Sequence, residues 1–236
     1  AFMATVLDDA SAAAARATLG LVIGTDVLAY STLVAYLNIA QSFAKSQGCT
    51  PTEFTDGATI TLDMSASNDF YGILAGNRTL GVPTSIVAGK SGKIAIWQDS
   101  TGSRTLAYAW VFNFAGGTAI VLTTTARARD NIYYDNEYYG TSTITVTIAT
   151  PGAVTWTAHG LQTGYKLQLT TTGALPTGLT ASTTYFVIRV DANTFNLATT
   201  RANAAAGTAI ATSGSQSGVH TAVACEITLS AVKGAT

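Results

Sequence analysis

The chain carries little charge. Lys, Arg, Asp and Glu together make up 11% of its 236 residues, against roughly 25% in typical soluble domains. The formal net charge is −1, and the 12 Lys and Arg residues are scattered, with Arg127 and Arg129 the nearest approach to a cluster. Because nucleic-acid binding depends on a basic patch, we expect no nucleic-acid partner.

Cysteine, histidine and long apolar runs are also scarce. Cys49 and Cys225 fall in different predicted units, so two free thiols are favoured over a disulfide. His159 and His220 have no Cys, His or carboxylate at a metal-ligand spacing, so we expect no metal and no other cofactor. No apolar run approaches the ~18 residues that span a bilayer, and the first residues lack the pattern of a signal peptide. These observations predict no membrane insertion.

Catalytic motifs are missing as well. The chain has no Gly-x-Ser-x-Gly nucleophile elbow, and the segment 89–92 lacks the first glycine of a phosphate-binding loop. Asp130, Asp135 and Glu137 surround a predicted hairpin and could form a carboxylate pair or a calcium site. A solvated hairpin tip at Asp135 and Asn136 is the favoured interpretation. We therefore expect a protein that is not an enzyme.

Threonine and alternating hydrophobicity are abundant. The chain has 40 Thr residues and is 47% hydrophobic, and β-branched Thr suits a half-exposed strand. Polar and apolar residues alternate in 59–64, 93–97 and 141–148, as half-buried strands require. Glycine-rich turns separate these segments with no helical pattern between them. The pattern predicts an antiparallel β-sandwich over residues 49–150.

A second, smaller β module is predicted for residues 151–236. Its clearest element is a hairpin, with strands at 184–190 and 194–197 around an Asp-Ala-Asn turn. The Ala-, Gly- and Ser-rich segment 202–217 predicts a loop with one short strand at 208–211. The fold class is therefore mostly β: two antiparallel sandwich or barrel-like modules after a short helical segment.

Residues 1–48 are predicted to be helical. An Ala-rich helix ends at Gly20, and a second helix begins near Asp26 and ends at Gly48. The second helix carries an apolar stripe at helical spacing: Leu33, Leu37, Ala40 and Ala44. Because short helices are marginal alone, the stripe needs a partner. Two alternatives stay open, a trimeric bundle that serves attachment and packing against the chain's own β module.

Aromatic residues suggest a contact surface. Flat rings with polar tips suit the apolar face of a sugar and its hydroxyls. Trp97, Trp110 and Trp156 are expected in the core. Four tyrosines flank the predicted Asp-Asn turn: Tyr133, Tyr134, Tyr138 and Tyr139. Because neighbouring strand residues point to opposite faces, at least one of each pair should face solvent or a neighbouring subunit. These tyrosines are the candidate receptor or subunit contact.

Three groups of segments share their order with one class of proteins. The first is the helical stretch 7–30. The second runs through GNRTL (76–80), 89–92, WQDSTGSRTL (97–106), 116–119 and TTTARARD (123–130). The third runs through PGAVTWTAHGL (151–161), 172–179, 184–187 and NTFNL (193–197). Together they resemble the tail-fibre and minor tail proteins of bacteriophage virions.

The resemblance implies a non-enzymatic virion protein, usually a homotrimer, that assembles in the bacterial cytoplasm. The expected role is a tail-fibre or adhesin subunit in host attachment, with itself, other virion proteins and a host surface glycan as partners. The alternative is a head fibre, capsid decoration or baseplate protein without a receptor role. A depolymerase acting on host polysaccharide is a third hypothesis, against which the missing carboxylate pair counts.

Overall fold

The computed structural model describes residues 49–232 and positions 11, 13, 14, 17 and 19. The predicted attachment helices, with the stripe of Leu33, Leu37, Ala40 and Ala44, lie outside these residues and stay a prediction. The described part is mostly β. Its strands are β1 (Thr52–Glu53), β2 (Thr59–Ile60), β3 (Asp69–Leu74), β4 (Arg78–Leu80), β5 (Ser91–Gln98), β6 (Leu106–Tyr108), β7 (Phe112–Phe114), β8 (Arg129–Val146), β9 (Ala153–Thr155), β10 (Lys166–Thr171), β11 (Thr184–Arg189), β12 (Thr194–Ala198) and β13 (His220–Val232), with helix α1 (Arg201–Ala205) before β13.

The first six strands form a parallel coil. β1, β3 and β5 lie side by side, with Phe70 opposite Ile94. β2, β4 and β6 form a second parallel sheet, with Ile60, Leu80 and Tyr108 in register. The chain visits the two sheets alternately, and inward-facing residues from both join one buried cluster. Each large apolar side chain buried there contributes about 1.5–3 kcal/mol relative to exposure.

The antiparallel sandwich predicted for residues 49–150 is wrong for this coil. Alternation identifies a half-buried strand but does not identify its neighbour. Between β3 and β5 the chain crosses to the other sheet and forms β4. That detour supplies the long crossover that a parallel pairing needs.

Strands of the second half close an antiparallel barrel. The hydrogen-bonded order is β8, β9, β12, β11, β10, β13 and back to β8. Val187 lies opposite Leu197, and Leu167 lies opposite Ala224. These side chains fill the interior of the barrel together with Phe195. The structure thus contains a closed six-strand barrel, as the barrel-like alternative predicted, although β8 comes from before residue 150. The predicted hairpin of β11 and β12 is confirmed.

The connection after β12 differs from the prediction. Helix α1 begins after Thr200, whose side-chain Oγ1 accepts a hydrogen bond from the Asn203 amide at 3.0 Å. The strand predicted at 208–211 is not formed. Ile210 instead donates one backbone hydrogen bond to Leu197 and continues as an irregular segment. A hydroxyl cap thus fixed a helix where the Ala- and Gly-rich composition predicted a loop.

β8 and β13 form one long ribbon that serves both cores. They pair along the whole of β13, from His220 to Val232. Towards one end Ile132 belongs to the coil core, and towards the other Ile144 belongs to the barrel core. Coil and barrel lie within one compact unit, Gly48–Thr236. The predicted boundary between two modules after residue 150 stays a prediction. β8 lies before that boundary and β13 after it, and both strands contribute to both cores.

A β-bulge interrupts this ribbon at Glu137. Tyr138 lies opposite Glu226, whereas Asn136 lies opposite Ile227, so β8 has one residue more than β13 at this point. Asp135 and Asn136 therefore lie inside a strand, and the predicted hairpin tip is wrong. Asn136 is buried, and its backbone exchanges hydrogen bonds with the loop at 87–90. The loop thus takes the place of water as the partner of the Asn136 backbone and of its side-chain Nδ2.

A buried carboxylate lies beside the bulge. Glu226 is 1% exposed and accepts hydrogen bonds from the Lys166 backbone amide and the Asn113 side-chain amide. The Arg201 guanidinium approaches it to 3.5 Å. Burial raises the pKa of Glu226, and these partners oppose the shift. The carboxylate is costly to bury, and several segments of the chain offset that cost together.

Lys166 completes this cluster and ties the barrel to the beginning of β7 and the residues just before it. Its ammonium group donates hydrogen bonds of 2.7 Å to the carbonyl oxygens of Trp110 and Phe112. Burial lowers the pKa of Lys166 from 10.5 to about 8, although the Glu226 carboxylate acts in the opposite direction. The side chain is a structural link between coil and barrel.

Lys166→Met should lower stability by about 2–4 kcal/mol at neutral pH, because two carbonyls lose their donor and Glu226 loses a cation. The difference between the two proteins should also depend on pH. Folded Lys166 releases its proton near pH 8, and unfolded Lys166 near 10.5. Unfolding therefore takes up a proton in this window, and the advantage of the natural protein should grow as pH rises through it. Urea unfolding of both proteins at several pH values measures this; a constant difference would contradict the depressed pKa.

Candidate functional site

One side of the main sheet presents a regular array of side chains. In the adjacent strands β3, β5 and β8, alternate residues point outwards and their partners are in register. The rows of this surface, named here the aromatic face, are Asp69, Lys93 and Tyr133; Tyr71, Ala95 and Asn131; and Ile73, Trp97 and Arg129. The array combines three aromatic rings with charged and amide groups.

A depression lies between Tyr71 and Trp97. Ala95 sits at the centre of the array, and its methyl group is too short to fill the space between the two rings. The resulting groove has a volume of about 380 Å³, and Lys93 and Arg129 also line it. The Arg129 guanidinium lies over the Trp97 ring, 4.8 Å from its centroid, which is a cation–π geometry. The groove thus offers ring surfaces beside a cation.

A second depression continues the groove towards Tyr133. It has a volume of about 340 Å³ and shares Asp69 and Lys93 with the first. The Lys93 ammonium lies 3.6 Å from the Asp69 carboxylate, and both side chains are about a third exposed. This pair separates the two depressions and can offer both a donor and an acceptor to a ligand.

Asn131 adds a polar atom without a partner. Its side-chain Oδ1 is buried and accepts no hydrogen bond from the residues that the structure describes. It lies in the same row as Ala95 and two residues from Arg129 on β8. A buried amide oxygen without a donor costs free energy, and this oxygen lies beneath the surface, since Asn131 lines neither depression.

The four predicted tyrosines do not form one surface. Tyr133 lies on the aromatic face and is 43% exposed. Tyr134 is buried, donates a hydrogen bond to the Asn68 carbonyl at 2.8 Å, and has its pKa raised by burial to about 12. Tyr138 packs against the barrel core and donates to the His159 carbonyl at 2.5 Å. The expectation that one of each pair faces outwards is confirmed, since Tyr139 is 41% exposed.

Several residues of the aromatic face were not predicted from the sequence. Tyr71, Arg129 and Asn131 were not predicted as contacts, and Trp97 was expected in the core but is only half-buried. Trp156 does lie in the barrel core. The alternation of polar and apolar residues marks the outward positions within each strand. It does not show that outward residues of β3 and β5 lie side by side, because that depends on the pairing of the two strands.

A different pocket, of about 540 Å³, lies at the bulge and contains Glu137 and Glu226. The sequence did not predict that these two carboxylates, 89 positions apart in the chain, would line the same pocket. Glu137 accepts a hydrogen bond from the Thr228 hydroxyl, and Glu226 is held by the buried cluster described above. Asp130, the other predicted acid of this region, accepts from Thr123 on the inner side of β8. The predicted trio is therefore divided among separate environments.

No protein-family model matches this chain, and no curated protein does. No helix in the described residues is long and apolar enough to cross a bilayer. Both cysteines are free thiols, as predicted, with Cys49 exposed and Cys225 buried. The function must be inferred from the residues and from the fold.

Gly92→Ala should disturb the backbone that supports the aromatic face, because Gly92 of β5 packs against Asn68, the residue before β3. A Cβ at Gly92 would lie 1.7 Å from the Asn68 carbonyl oxygen, which already accepts from the Lys93 amide and from Tyr134. Because backbone must move, we expect a loss of about 1–3 kcal/mol in the free energy of unfolding. The control is Gly116→Ala, whose added Cβ meets no atom within 4 Å. Urea unfolding compares the free energies of unfolding of the two variants. Equal values would show that Gly92 does not lie in close contact with the Asn68 carbonyl.

Proposed function

We propose that this chain is a non-enzymatic structural protein of a bacteriophage virion, a tail-fibre or adhesin subunit that contacts the host surface. The observation that carries the contact role is the aromatic face. Its rings at Tyr71, Trp97 and Tyr133 lie beside Lys93 and Arg129 on one sheet surface. Rings cover the apolar side of a pyranose, and polar side chains bind its hydroxyls.

Attachment through a sheet face requires a rigid support. The aromatic face has the coil core directly beneath it, where Phe70, Ile94 and Ile132 point inwards from the same three strands. Side chains on such strands keep their spacing when a ligand arrives, so little ordering entropy opposes binding. The order of segments that resembles virion proteins supports the same assignment.

We place oligomerisation at the N-terminal helical segment. The apolar stripe of Leu33, Leu37, Ala40 and Ala44 needs a partner surface, and a trimeric bundle is the arrangement that the resemblance implies. Assembly in a bacterial cytoplasm agrees with the free thiols of Cys49 and Cys225. The β module would then be the part that the bundle presents.

The contact role can be tested with paired variants. Trp97→Ala combined with Tyr71→Ala removes two rings of the aromatic face, whereas Tyr139→Ala removes a ring of similar exposure elsewhere on the surface. On an array of bacterial lipopolysaccharides, capsules and teichoic acids, we expect binding by the natural protein. Loss of the two rings should weaken it by about tenfold or more, and Tyr139→Ala should leave it unchanged.

Each result has a distinct meaning. Equal weakening by both changes would remove the aromatic face from the contact role. Absence of binding to every arrayed glycan would favour the alternative, a head-fibre, decoration or baseplate protein without a receptor.

The trimer is tested by mass. Light scattering on the whole chain should give three times the protomer mass of 24.2 kDa. Replacing Leu33 and Leu37 by Asp should give monomers, because charge is expensive to bury in a bundle seam. A monomeric natural protein at micromolar concentration would overturn the trimer, and a variant that stays trimeric would locate the contact elsewhere.

A further inference from the structure

Arg129 is the cation of the aromatic face that has no acidic partner. Lys93 lies within 3.6 Å of the Asp69 carboxylate. Arg129 is exposed, and it forms no ion pair with a carboxylate of the described residues. Its contact is the ring of Trp97. The guanidinium is therefore held in place by stacking while its N–H donors remain available.

Two exposed carboxylates lie at edges of this surface away from Arg129, and Asp135 is the one on β8, opposite Ser91 and six residues from Arg129. Glu53 of β1 is in register with Tyr71 and so extends the middle row. Three strand spacings, about 14 Å, separate β1 from β8. The surface is thus polarised, with Arg129 at one corner and the carboxylates of Glu53 and Asp135 at other edges, and a ligand with one negative group has one favoured orientation.

Ring surfaces lie next to the cation. Tyr71, Trp97 and Arg129 line the same groove. Two aromatic rings and a guanidinium thus lie together within two rows of the array. A planar guanidinium matches a carboxylate through two parallel hydrogen bonds.

We propose that the aromatic face binds an acidic saccharide, with the sugar rings against Trp97 and Tyr71 and its carboxylate on Arg129. This ligand class rests on the proposed attachment function and refines it. The three rows, from residue 69 to residue 73 of β3, span about 13 Å, so the groove accommodates more than one sugar ring in sequence.

The test uses oligosaccharides of polygalacturonate, hyaluronate, alginate and polysialate, each with its carboxyl-reduced neutral counterpart. The proteins are the natural chain, Arg129→Gln, Arg129→Lys and the control Arg189→Gln, which removes an exposed arginine on the barrel. Titration calorimetry should show at least one acidic oligosaccharide binding about tenfold or more tightly than its neutral counterpart. Arg129→Gln should abolish that preference, Arg129→Lys should restore part of it, and Arg189→Gln should leave it unchanged.

Two failures are distinguishable. Equal binding of acidic and neutral oligosaccharides, lost in the Trp97→Ala variant, would overturn the acidic class and leave the attachment role standing. Binding of no oligosaccharide in the panel would overturn the acidic class, and the glycan array then decides the attachment role independently. Thermal unfolding of every variant confirms that the changes act on the folded protein.

Discussion

The backbone ladder between β8 and β13 is the contact on which the rest of the structure depends. β8 pairs with β5 on the coil side, with β9 in the barrel, and with β13 along much of its length. β8 and β13 therefore each contribute buried residues to both cores. Because every buried amide and carbonyl needs a partner, separating the ribbon would expose both cores and leave many backbone groups unpaired at once.

The bulge lets one ribbon serve two cores. On β13, Ala222 and Ala224 face the barrel, whereas Ile227 and Leu229 face the coil core. The extra residue Glu137 on β8 absorbs this change from even to odd positions. The buried charges lie at the same point, where segments from coil and barrel converge. Burying Glu226 and Lys166 there costs solvation free energy, but their directional hydrogen bonds favour one arrangement of the two halves.

The aromatic face is a consequence of the parallel coil. Parallel neighbours in register place matching positions side by side, so outward residues form straight rows. Tyr71 and Trp97 come from strands that are separated by β4 in the chain. This array of rings and cations is the basis of the proposed glycan contact.

The sequence by itself determined the local features. Alternation identified the strands at 93–97 and 141–148, and the turn residues at 191–193 identified the hairpin of β11 and β12. The period of two also required that Tyr133 and Tyr134 point apart. Tertiary structure decided which strands are neighbours, and so made a parallel coil where turns predicted a sandwich. It also kept Asn136 inside a strand, because a distant loop binds the polar backbone that water would otherwise bind. Periodicity is a property of one segment, whereas pairing depends on which apolar faces close a core together.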